Sequence, residues 1–237
     1  MRVVSLVPSA TESLLDWGVT PVACTRFCEQ PDLRHVGGTK DPDVAAIVDL
    51  APDLVVMCEE ENLRAHHDEL VAAGLRCHTV RISSVADVPA EMAALADAAG
   101  LDPAASAVEL PEGVHRAAGG AHGAVRPRAF VPIWRRPWMS LNRDTYGSSL
   151  LEHLGIDNVC ADDDVRYPEV GLDEIRRRRP DVVLAPTEPY PFGERHLAEL
   201  REIAPAVLVD GQDLFWWGTR TPAAIGRLAS ALATVTG

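Results

Sequence analysis

The sequence predicts an α/β protein made of two Rossmann-like lobes with mainly parallel sheets, joined by a single connecting helix, with a ligand cleft between the lobes. Two observations lead to this fold class. Short apolar runs alternate with amphipathic stretches that end at glycine. In addition, residues 47–56 recur in the same register as residues 175–184, with Pro52 and Pro180 in matching places. Each copy reads as a helix end, a proline stop and an apolar strand, so the chain is expected to contain one scaffold twice.

The N-terminal lobe is predicted to span residues 1–101. The motif Ser9-Ala10-Thr11-Glu12 has the form of a capping box and predicts the start of the first helix, which Gly18 closes. Gly74 and Gly100 close later helices in the same way. The predicted strands are residues 3–7, 21–25, 53–57 and 76–80. The predicted helices are residues 9–17, 43–50, 62–73 and 87–99.

Residues 102–126 are predicted to be the connecting helix or linker, with a kink or break at Pro111 and Gly113. The C-terminal lobe then spans residues 127–237 and repeats the alternation of strand and helix. Its predicted strands are residues 128–133, 181–185 and 206–209. Its predicted helices are residues 146–154, 172–179, 194–203 and 222–235.

Composition narrows the class of partner. The formal net charge of −13 and the pI near 5.0 argue against binding to nucleic acid or to an anionic membrane, which both require basic patches. No apolar run reaches the length of a membrane span, and no membrane insertion is expected. The N-terminus carries no signal peptide and the five cysteines form no framework, which predicts a cytoplasmic protein. The alternative is an exported protein whose signal was removed.

Aromatic residues are distributed unevenly along the chain. Ten of the twelve lie at or after Phe130, and seven of these fall in loops after predicted strands of the C-terminal lobe: Trp134, Trp138, Tyr190, Phe192, Phe215, Trp216 and Trp217. In open α/β sheets, ligands bind beyond the carboxyl ends of the strands. The pattern therefore predicts a flat apolar ligand wall. The alternative is that the aromatics fill the core of the lobe, which is our interpretation for Phe130.

Four arginines accompany these aromatics, namely Arg135, Arg136, Arg143 and Arg220. Guanidinium groups beside aromatic rings suit a ligand with anionic oxygens, although solvated surface charge is the alternative for each one. The run of arginines at residues 176–179 is interpreted as a solvated helix face.

Motifs for catalysis and for protein-bound metal are absent from the sequence, so no catalytic residue, intrinsic cofactor or metal site is expected. The pairs Cys24 with Cys28, His66 with His67, and Cys77 with His78 are better explained by buried thiols and surface histidines. The acids at residues 59–61 are expected to favour a helix N-terminus, and Glu188 is ambiguous in the same way.

Several stretches taken together resemble the substrate-binding proteins of ABC importers for vitamin B12, ferric siderophores and haem. The N-terminal stretches that carry the resemblance are residues 4–12, 18–22 and 47–56. The C-terminal ones are residues 166–170, 180–183, 188–192 and 216–218. The order and spacing of these stretches, more than any single one, make the resemblance specific.

The resemblance implies a preformed cleft between two lobes and ligand-facing aromatics at Phe27, Trp134 or Trp138, Tyr167, and Trp216 or Trp217, with Ser9 at its border. It also implies docking on a permease through an acid in each lobe. In the C-terminal lobe this acid is Asp173 or Glu174, whereas the matching N-terminal position is Ala45. A kinked connection and the lack of a signal or lipoprotein cysteine are further departures from the family pattern.

The sequence is therefore interpreted as a monomeric, non-enzymatic receptor of an ABC import system for a metal chelate. The chelate would be a corrinoid such as cobalamin, a ferric siderophore or haem, and it would bring its own cobalt or iron. An alternative is a cytosolic enzyme or chaperone of tetrapyrrole or metal metabolism, with Glu59 to Glu61, His35 or Glu188 acting in the cleft. A third interpretation is an interaction module whose aromatic loops meet a protein partner.

Overall fold

The computed structural model describes residues 1–113 and 126–236. The chain forms two compact units, each with its own parallel sheet. The first unit comprises Met1–Ile82, Ala86–Glu109 and Trp217–Arg220. The second comprises Ser83–Val85, Leu110–Trp216 and Thr221–Gly237, as far as these are described. The predicted lobes were continuous in sequence. In the structure, Ser83–Val85 belongs to the second unit and Trp217–Arg220 belongs to the first.

The sheet of the first unit has five parallel strands in the order β3-β2-β1-β4-β5. The strands are β1 (Val3–Ser5), β2 (Ala23–Cys24), β3 (Arg34–His35), β4 (Leu54–Cys58) and β5 (Cys77–Val80). The helices are α1 (Pro8–Asp16), α2 (Val44–Asp49), α3 (Arg64–Ala72) and α4 (Val88–Ala98). The α/β class predicted from the sequence is thus confirmed for this unit, although the short edge strand β3 was not predicted.

The start of α1 differs from the prediction. The N-cap is Val7, which has no side chain able to cap, and Pro8 occupies the first turn, where a missing N–H costs nothing. Ser9 therefore lies inside the helix. The predicted capping box is wrong because the Glu12 carboxylate instead accepts hydrogen bonds from Arg220.

The sheet of the second unit has four parallel strands in the order β7-β6-β8-β9. The strands are β6 (Arg128–Phe130), β7 (Asp157–Asn158), β8 (Val182–Pro186) and β9 (Ala206–Val209). The helices are α5 (Tyr146–His153), α6 (Leu172–Arg178), α7 (Glu194–Leu200), α8 (Gly211–Phe215) and α9 (Thr221–Thr236). Neither β7 nor α8 was predicted, since each is too short to show a periodic pattern.

The sequence repeat builds the same local structure in both units. Ala51 and Arg179 both adopt left-handed backbone, with φ of 43° and 52°, directly before a proline that disfavours the right-handed helical region. The aspartate after each proline then accepts a hydrogen bond from a backbone N–H of the neighbouring strand. Asp53 binds the N–H of Arg2 at 2.6 Å, and Asp181 binds that of Arg128 at 2.8 Å. The predicted helix end, proline stop and buried strand are confirmed in both copies.

The predicted connection at residues 102–126 is described only in part. Residues 102–113 form turns and irregular backbone, and residues 114–125 lie outside the described residues. The connecting helix and the lobe boundaries at 101 and 127 therefore stay predictions.

Candidate functional site

Three loops of the second unit leave the sheet at the carboxyl ends of β6, β8 and β9. The first carries Trp134 and Trp138 and the second carries Tyr190, whereas the connection after β9 contains α8 and reaches Trp216 only at the end of that helix. Because these strands are parallel and adjacent, their carboxyl ends lie at one edge of the sheet. This edge is the usual place for a ligand in an open α/β sheet.

Five rings from two of these loops and helix α7 form one aromatic cluster, defined here as Trp134, Trp138, Tyr190, Phe192 and His196. The rings of Trp138 and Phe192 are nearly parallel at a centroid distance of 6.0 Å. Tyr190 lies 4.7 Å from Phe192 and meets Trp134 edge-on at 5.5 Å. His196 meets both Tyr190 and Phe192 edge-on, at 5.5 and 5.6 Å. Each ring is thus held by at least one other.

Exposure divides the cluster into an outer and an inner part. Trp134 is 44% exposed, whereas Phe192 is 4% exposed and belongs to the hydrophobic core. Trp138 and Tyr190 are partly buried and pack against that core. Phe192 therefore fills the core, whereas Trp134 presents apolar surface to the outside. The ligand wall stays a prediction.

The loop that carries Tyr167 is hydrogen-bonded to the loop that follows β6. The N–H of Val170 donates to the carbonyl of Trp138 at 2.9 Å, and the N–H of Ser140 donates to that of Pro168 at 3.0 Å. These backbone bonds tie the loop before α6 to the loop after β6. Tyr167 directly precedes Pro168 in this tied loop and is 39% exposed, so the second unit presents a second exposed aromatic side chain.

The loop that carries Tyr190 is fixed at its base by the start of α8. The N–H of Gly211 donates to the hydroxyl of Thr187 at 3.0 Å. A Cβ on Gly211 would come within 2.5 Å of the backbone nitrogen of Glu188, so only glycine permits this approach. The aromatic side chains are therefore presented by a loop anchored to regular structure.

Arg135 is already paired within the second unit. Its Nε and Nη2 donate to one carboxylate oxygen of Glu199 on α7, at 3.1 and 2.8 Å. Its guanidinium carbon also lies 5.7 Å from the ring centroid of Trp138, within the range of a cation–π contact. The pairing raises the pKa of Arg135 further and neutralises its charge locally.

The other three arginines of the predicted anion site differ in whether a carboxylate pairs with them. Arg143 pairs with Asp162, and Arg220 pairs in fork geometry with Glu12, at 2.7 and 3.0 Å. Within the described part of the chain Arg136 has no carboxylate partner, and its side chain is exposed. One of the four arginines is therefore available to an anionic ligand without breaking an ion pair.

His196 has a restricted protonation state. Its Nδ1 accepts a hydrogen bond from the N–H of Gly193 at 3.0 Å, which closes the first turn of α7. Burial lowers the pKa of His196, and the guanidinium groups of Arg195 and Arg135 lower it further. The ring is therefore held neutral beneath the aromatic surface.

The predicted site residues of the first unit lie in different environments. Phe27 is 50% exposed on a turn after β2, with the guanidinium of Arg26 at 4.8 Å from its ring centroid. Ser9 is 2% exposed inside α1, and Trp217 is 4% exposed. Phe27 thus presents a ring to the outside, whereas Ser9 and Trp217 present almost no side-chain surface. Their ligand roles stay predictions.

A family model described as periplasmic binding protein matches residues 3–204. The chain belongs to the periplasmic binding protein family. The vitamin B12-binding protein of Salmonella choleraesuis is 25% identical over 190 residues, which cover 77% of this chain and 71% of the relative.

Two solved structures share the fold of this periplasmic binding protein. The periplasmic vitamin B12 binding protein BtuF of Vibrio cholerae has a TM-score of 0.79 at 18% identity and covers 99% of this chain and 97% of its own. The periplasmic heme-binding protein RhuT from Roseiflexus sp. RS-1 also has a TM-score of 0.79 at 18% identity, with 100% and 99% covered. The two-lobed α/β class and the family resemblance predicted from the sequence are confirmed.

The acids predicted to dock on a permease stand at the start of α6 in this periplasmic binding protein. Asp173 pairs with Arg176, and Glu174 pairs with Arg178. The side chain of Asp173 is 82% exposed and that of Glu174 is 45% exposed. Arg176 and Arg178 of the arginine run are therefore paired with acids of the same helix.

Two of the residues considered for an enzymatic alternative make contacts within the first unit. Glu59 lies 3.6 Å from Arg81, and His35 contacts the carbonyl of Gln30 at 3.0 Å. Within residues 1–113 and 126–236, no three His, Cys, Asp or Glu side chains come together in a way that would hold a metal ion. Over the same residues, no helix combines the length and apolar character needed to cross a membrane.

Sequence reasoning missed two members of the site. His196 was not considered, and Glu199 was read as part of an ordinary helix. Their spacing of three places them on one face of α7, next to the loop that carries Tyr190 and Phe192. That spacing was the available signal, but pairing with Arg135 spans 64 residues and has no local pattern.

Proposed function

We propose that this periplasmic binding protein is a receptor that binds a corrinoid of the vitamin B12 type on the aromatic loops of its second unit. The carrying observation is the exposed ring of Trp134, which meets Tyr190 edge-on, while Tyr190 packs against the buried ring of Phe192. Tyr167 is a further exposed aromatic side chain of the same unit. A rigid flat apolar surface gains affinity from desolvating a macrocycle and pays little entropy for ordering. The name of the curated relative, a vitamin B12-binding protein, supports this ligand class.

Charge pairing favours a corrinoid over a more anionic chelate. The periphery of a corrinoid carries mainly neutral amides, whereas haem carries propionates. In the second unit, Arg135 and Arg143 are each paired with a carboxylate of the protein. An anionic chelate would have to break one of these pairs or use Arg136, so the site suits a ligand with little negative charge on its edge.

Haem is the second candidate, and Arg136 is the observation in its favour. This arginine is exposed on the turn between Trp134 and Trp138 and has no carboxylate partner in the described residues. It is therefore placed to receive a propionate beside the aromatic surface. The solved heme-binding neighbour has the same fold, which makes this ligand compatible with the scaffold.

The receptor would deliver its chelate to an ABC permease from outside the cytoplasm. The solved neighbours are named as periplasmic proteins, which favours the exported alternative over the cytoplasmic expectation. Asp173 is the better docking candidate on α6, because its side chain is more exposed than that of Glu174. A binding role without catalysis agrees with the names of these relatives.

The direct test is a titration of the purified protein with hydroxocobalamin, haemin and a panel of ferric siderophores, followed by tryptophan fluorescence. We expect saturable quenching at micromolar hydroxocobalamin, with weaker binding of haemin. Trp134→Ala should weaken binding by about 1–3 kcal/mol, which is about 5- to 150-fold in Kd, because it removes the exposed stacking surface.

Trp17→Ala is the matched control, since Trp17 ends α1 in the first unit and should leave affinity unchanged. Absence of saturable quenching by every chelate would refute the proposed receptor function. Equal affinities of wild type and Trp134→Ala would instead refute the assignment of the aromatic surface.

A further inference from the structure

Cys24 and Cys28 lie together beneath the exposed turn that carries Phe27. Cys24 ends strand β2, and the N–H of Cys28 donates to the carbonyl of Thr25 at 3.1 Å, which closes the turn. Each thiol shifts the pKa of the other by a side-chain interaction, upward for Cys24 and downward for Cys28. Cys24 is fully buried and Cys28 is 2% exposed. The turn therefore folds Cys28 back toward the end of β2, and both sulfurs are buried beneath it.

The two sulfurs differ in their hydrogen-bond partners. The Sγ of Cys28 lies 3.2 Å from the hydroxyl of Thr11 and 3.2 Å from that of Thr25. The Thr11 hydroxyl also contacts the carbonyl of Val7 at 2.9 Å, so its single proton is shared between two acceptors. When Cys28 is a thiolate, the hydroxyl of Thr25 must be the donor of its contact with that sulfur. Cys28 is therefore the sulfur on which a thiolate is stabilised.

The electrostatics agree with this division. Hydrogen bonding from Cys24, together with that from Thr11 and Thr25, lowers the pKa of Cys28 to about 6. The same contact with Cys28, together with burial, raises the pKa of Cys24. One sulfur of the pair is suited to act as nucleophile, and the other is held as a neutral thiol.

We propose that Cys24 and Cys28 are a redox-convertible pair, which a low-molecular-weight disulfide such as oxidised glutathione converts to an intramolecular disulfide. The inference uses only the first unit and does not depend on the proposed chelate ligand.

The reaction is an exchange in two steps. The Cys28 thiolate attacks one sulfur of oxidised glutathione, forms a mixed disulfide and releases one glutathione thiolate, which takes up a proton. The sulfur of Cys24, as it loses its proton, then attacks the Cys28 sulfur and expels the second glutathione. The protein dithiol is oxidised by two electrons, and one oxidised glutathione is reduced to two thiols. Local opening of the turn at residues 25–28 admits the reagent.

The remaining three cysteines lack this arrangement. Burial raises the pKa of Cys58 to about 12 and that of Cys160 to about 11. Burial also raises the pKa of Cys77, although Cys77 is the most accessible of the five. A reaction governed by exposure alone would modify Cys77 first, whereas a reaction governed by the paired sulfurs selects Cys24 and Cys28.

The test equilibrates the folded full chain with graded ratios of oxidised to reduced glutathione. The reaction is quenched with acid, free thiols are alkylated in denaturant, and peptides are mapped by mass spectrometry. We expect reactive thiols to fall from five to three, with a peptide linking Cys24 to Cys28 that has lost two hydrogen atoms. Cys28→Ala should abolish this linkage, and the matched control Cys77→Ser should leave it intact.

Complete alkylation of both Cys24 and Cys28 in the wild type, at every ratio, would overturn the proposal. So would modification confined to Cys77. Because both outcomes are read on the wild-type chain, the test does not depend on the folding of the variants.

Discussion

Arg135 donates two hydrogen bonds to a single carboxylate oxygen of Glu199, from Nε at 3.1 Å and from Nη2 at 2.8 Å. The pair is partly buried, with side chains 22% and 38% exposed. The arginine that the sequence offered to an anionic ligand is therefore held by an acid on α7, beside Trp138. Because Arg135 is already paired with Glu199, the negative charge on a ligand should decide between the two candidates, a corrinoid and haem.

Glu199→Gln should shift ligand preference toward anionic chelates. Gln keeps an acceptor for Arg135 but removes the negative charge, so the guanidinium becomes attractive to a propionate. We expect the ratio of haemin affinity to hydroxocobalamin affinity to rise roughly fivefold, which corresponds to about 1 kcal/mol of binding free energy. The two affinities are measured by fluorescence quenching. Glu202→Gln is the control, because Glu202 pairs with Arg176 and should not change the ratio. An unchanged ratio in Glu199→Gln would contradict the role assigned to the pair.

Phe192→Ala should destabilise the protein strongly. Phe192 is 4% exposed and supports Trp138 and Tyr190, so truncation leaves a cavity under the aromatic surface. The expected loss is about 3–5 kcal/mol in free energy of unfolding, measured by urea denaturation. Trp134→Ala should cost much less, because Trp134 is 44% exposed. Similar losses for the two variants would mean that the cluster is not divided into inner and outer parts.

Acidification should destabilise the second unit through His196. Burial and nearby arginines hold the pKa of this histidine below its ordinary value of about 6.5. As the pH falls below about 6.5, the unfolded chain takes up the proton before the folded chain does, so stability declines until the pH reaches the folded-state pKa. Urea midpoints measured between about pH 7 and pH 5 should reveal this decline.

His196→Asn should flatten that pH dependence, because asparagine supplies an acceptor to the N–H of Gly193 but does not titrate. The exposed His35→Asn should retain the wild-type slope. An identical slope in His196→Asn would show that other groups cause the decline.

Asp53 and Asp181, which follow the two repeated prolines, should contribute similarly to the free energy of unfolding. Asp53→Ala and Asp181→Ala each remove the acceptor for one strand N–H, of Arg2 and of Arg128 respectively. We expect each to lower the free energy of unfolding by about 1–2 kcal/mol in denaturant titrations. Asp49→Ala is the comparison, since Asp49 is exposed near the end of α2 and should change stability little. A large effect in one unit only would mean that the repeat is a likeness of sequence without a shared stabilising role.

Local patterns predicted most of the regular structure. Alternating apolar runs located the longer strands, and Gly18, Gly74, Gly100 and Gly155 do adopt the positive φ that closes a helix. The strands of two residues, β2, β3 and β7, depend on pairing with neighbouring strands, so local sequence either misplaced or missed them. The predicted start of α1 is wrong because the Glu12 carboxylate accepts a hydrogen bond from Arg220, which lies 208 residues away in the sequence.

The candidate site was predicted as a set of residue types, and its internal order was not. Counting aromatics after strands selected the loops of the candidate site, but it ranked Trp134 and Trp138 alike and gave Phe192 no special place. The arginines were treated as equivalent, whereas carboxylates of the protein occupy Arg135, Arg143 and Arg220. Each of these pairs joins residues that no short motif contains.

The sequence by itself determined the α/β class, the duplicated scaffold and the loops that carry aromatics, because periodicity, proline stops and closing glycines act over a few residues. Only the tertiary structure decided which of those side chains are available to a ligand. Availability depends on burial and on ion pairs such as Arg135 with Glu199, which form between residues brought together by folding. Folding leaves Trp134 at the surface and places Phe192 in the packed core, although both follow strands in the sequence.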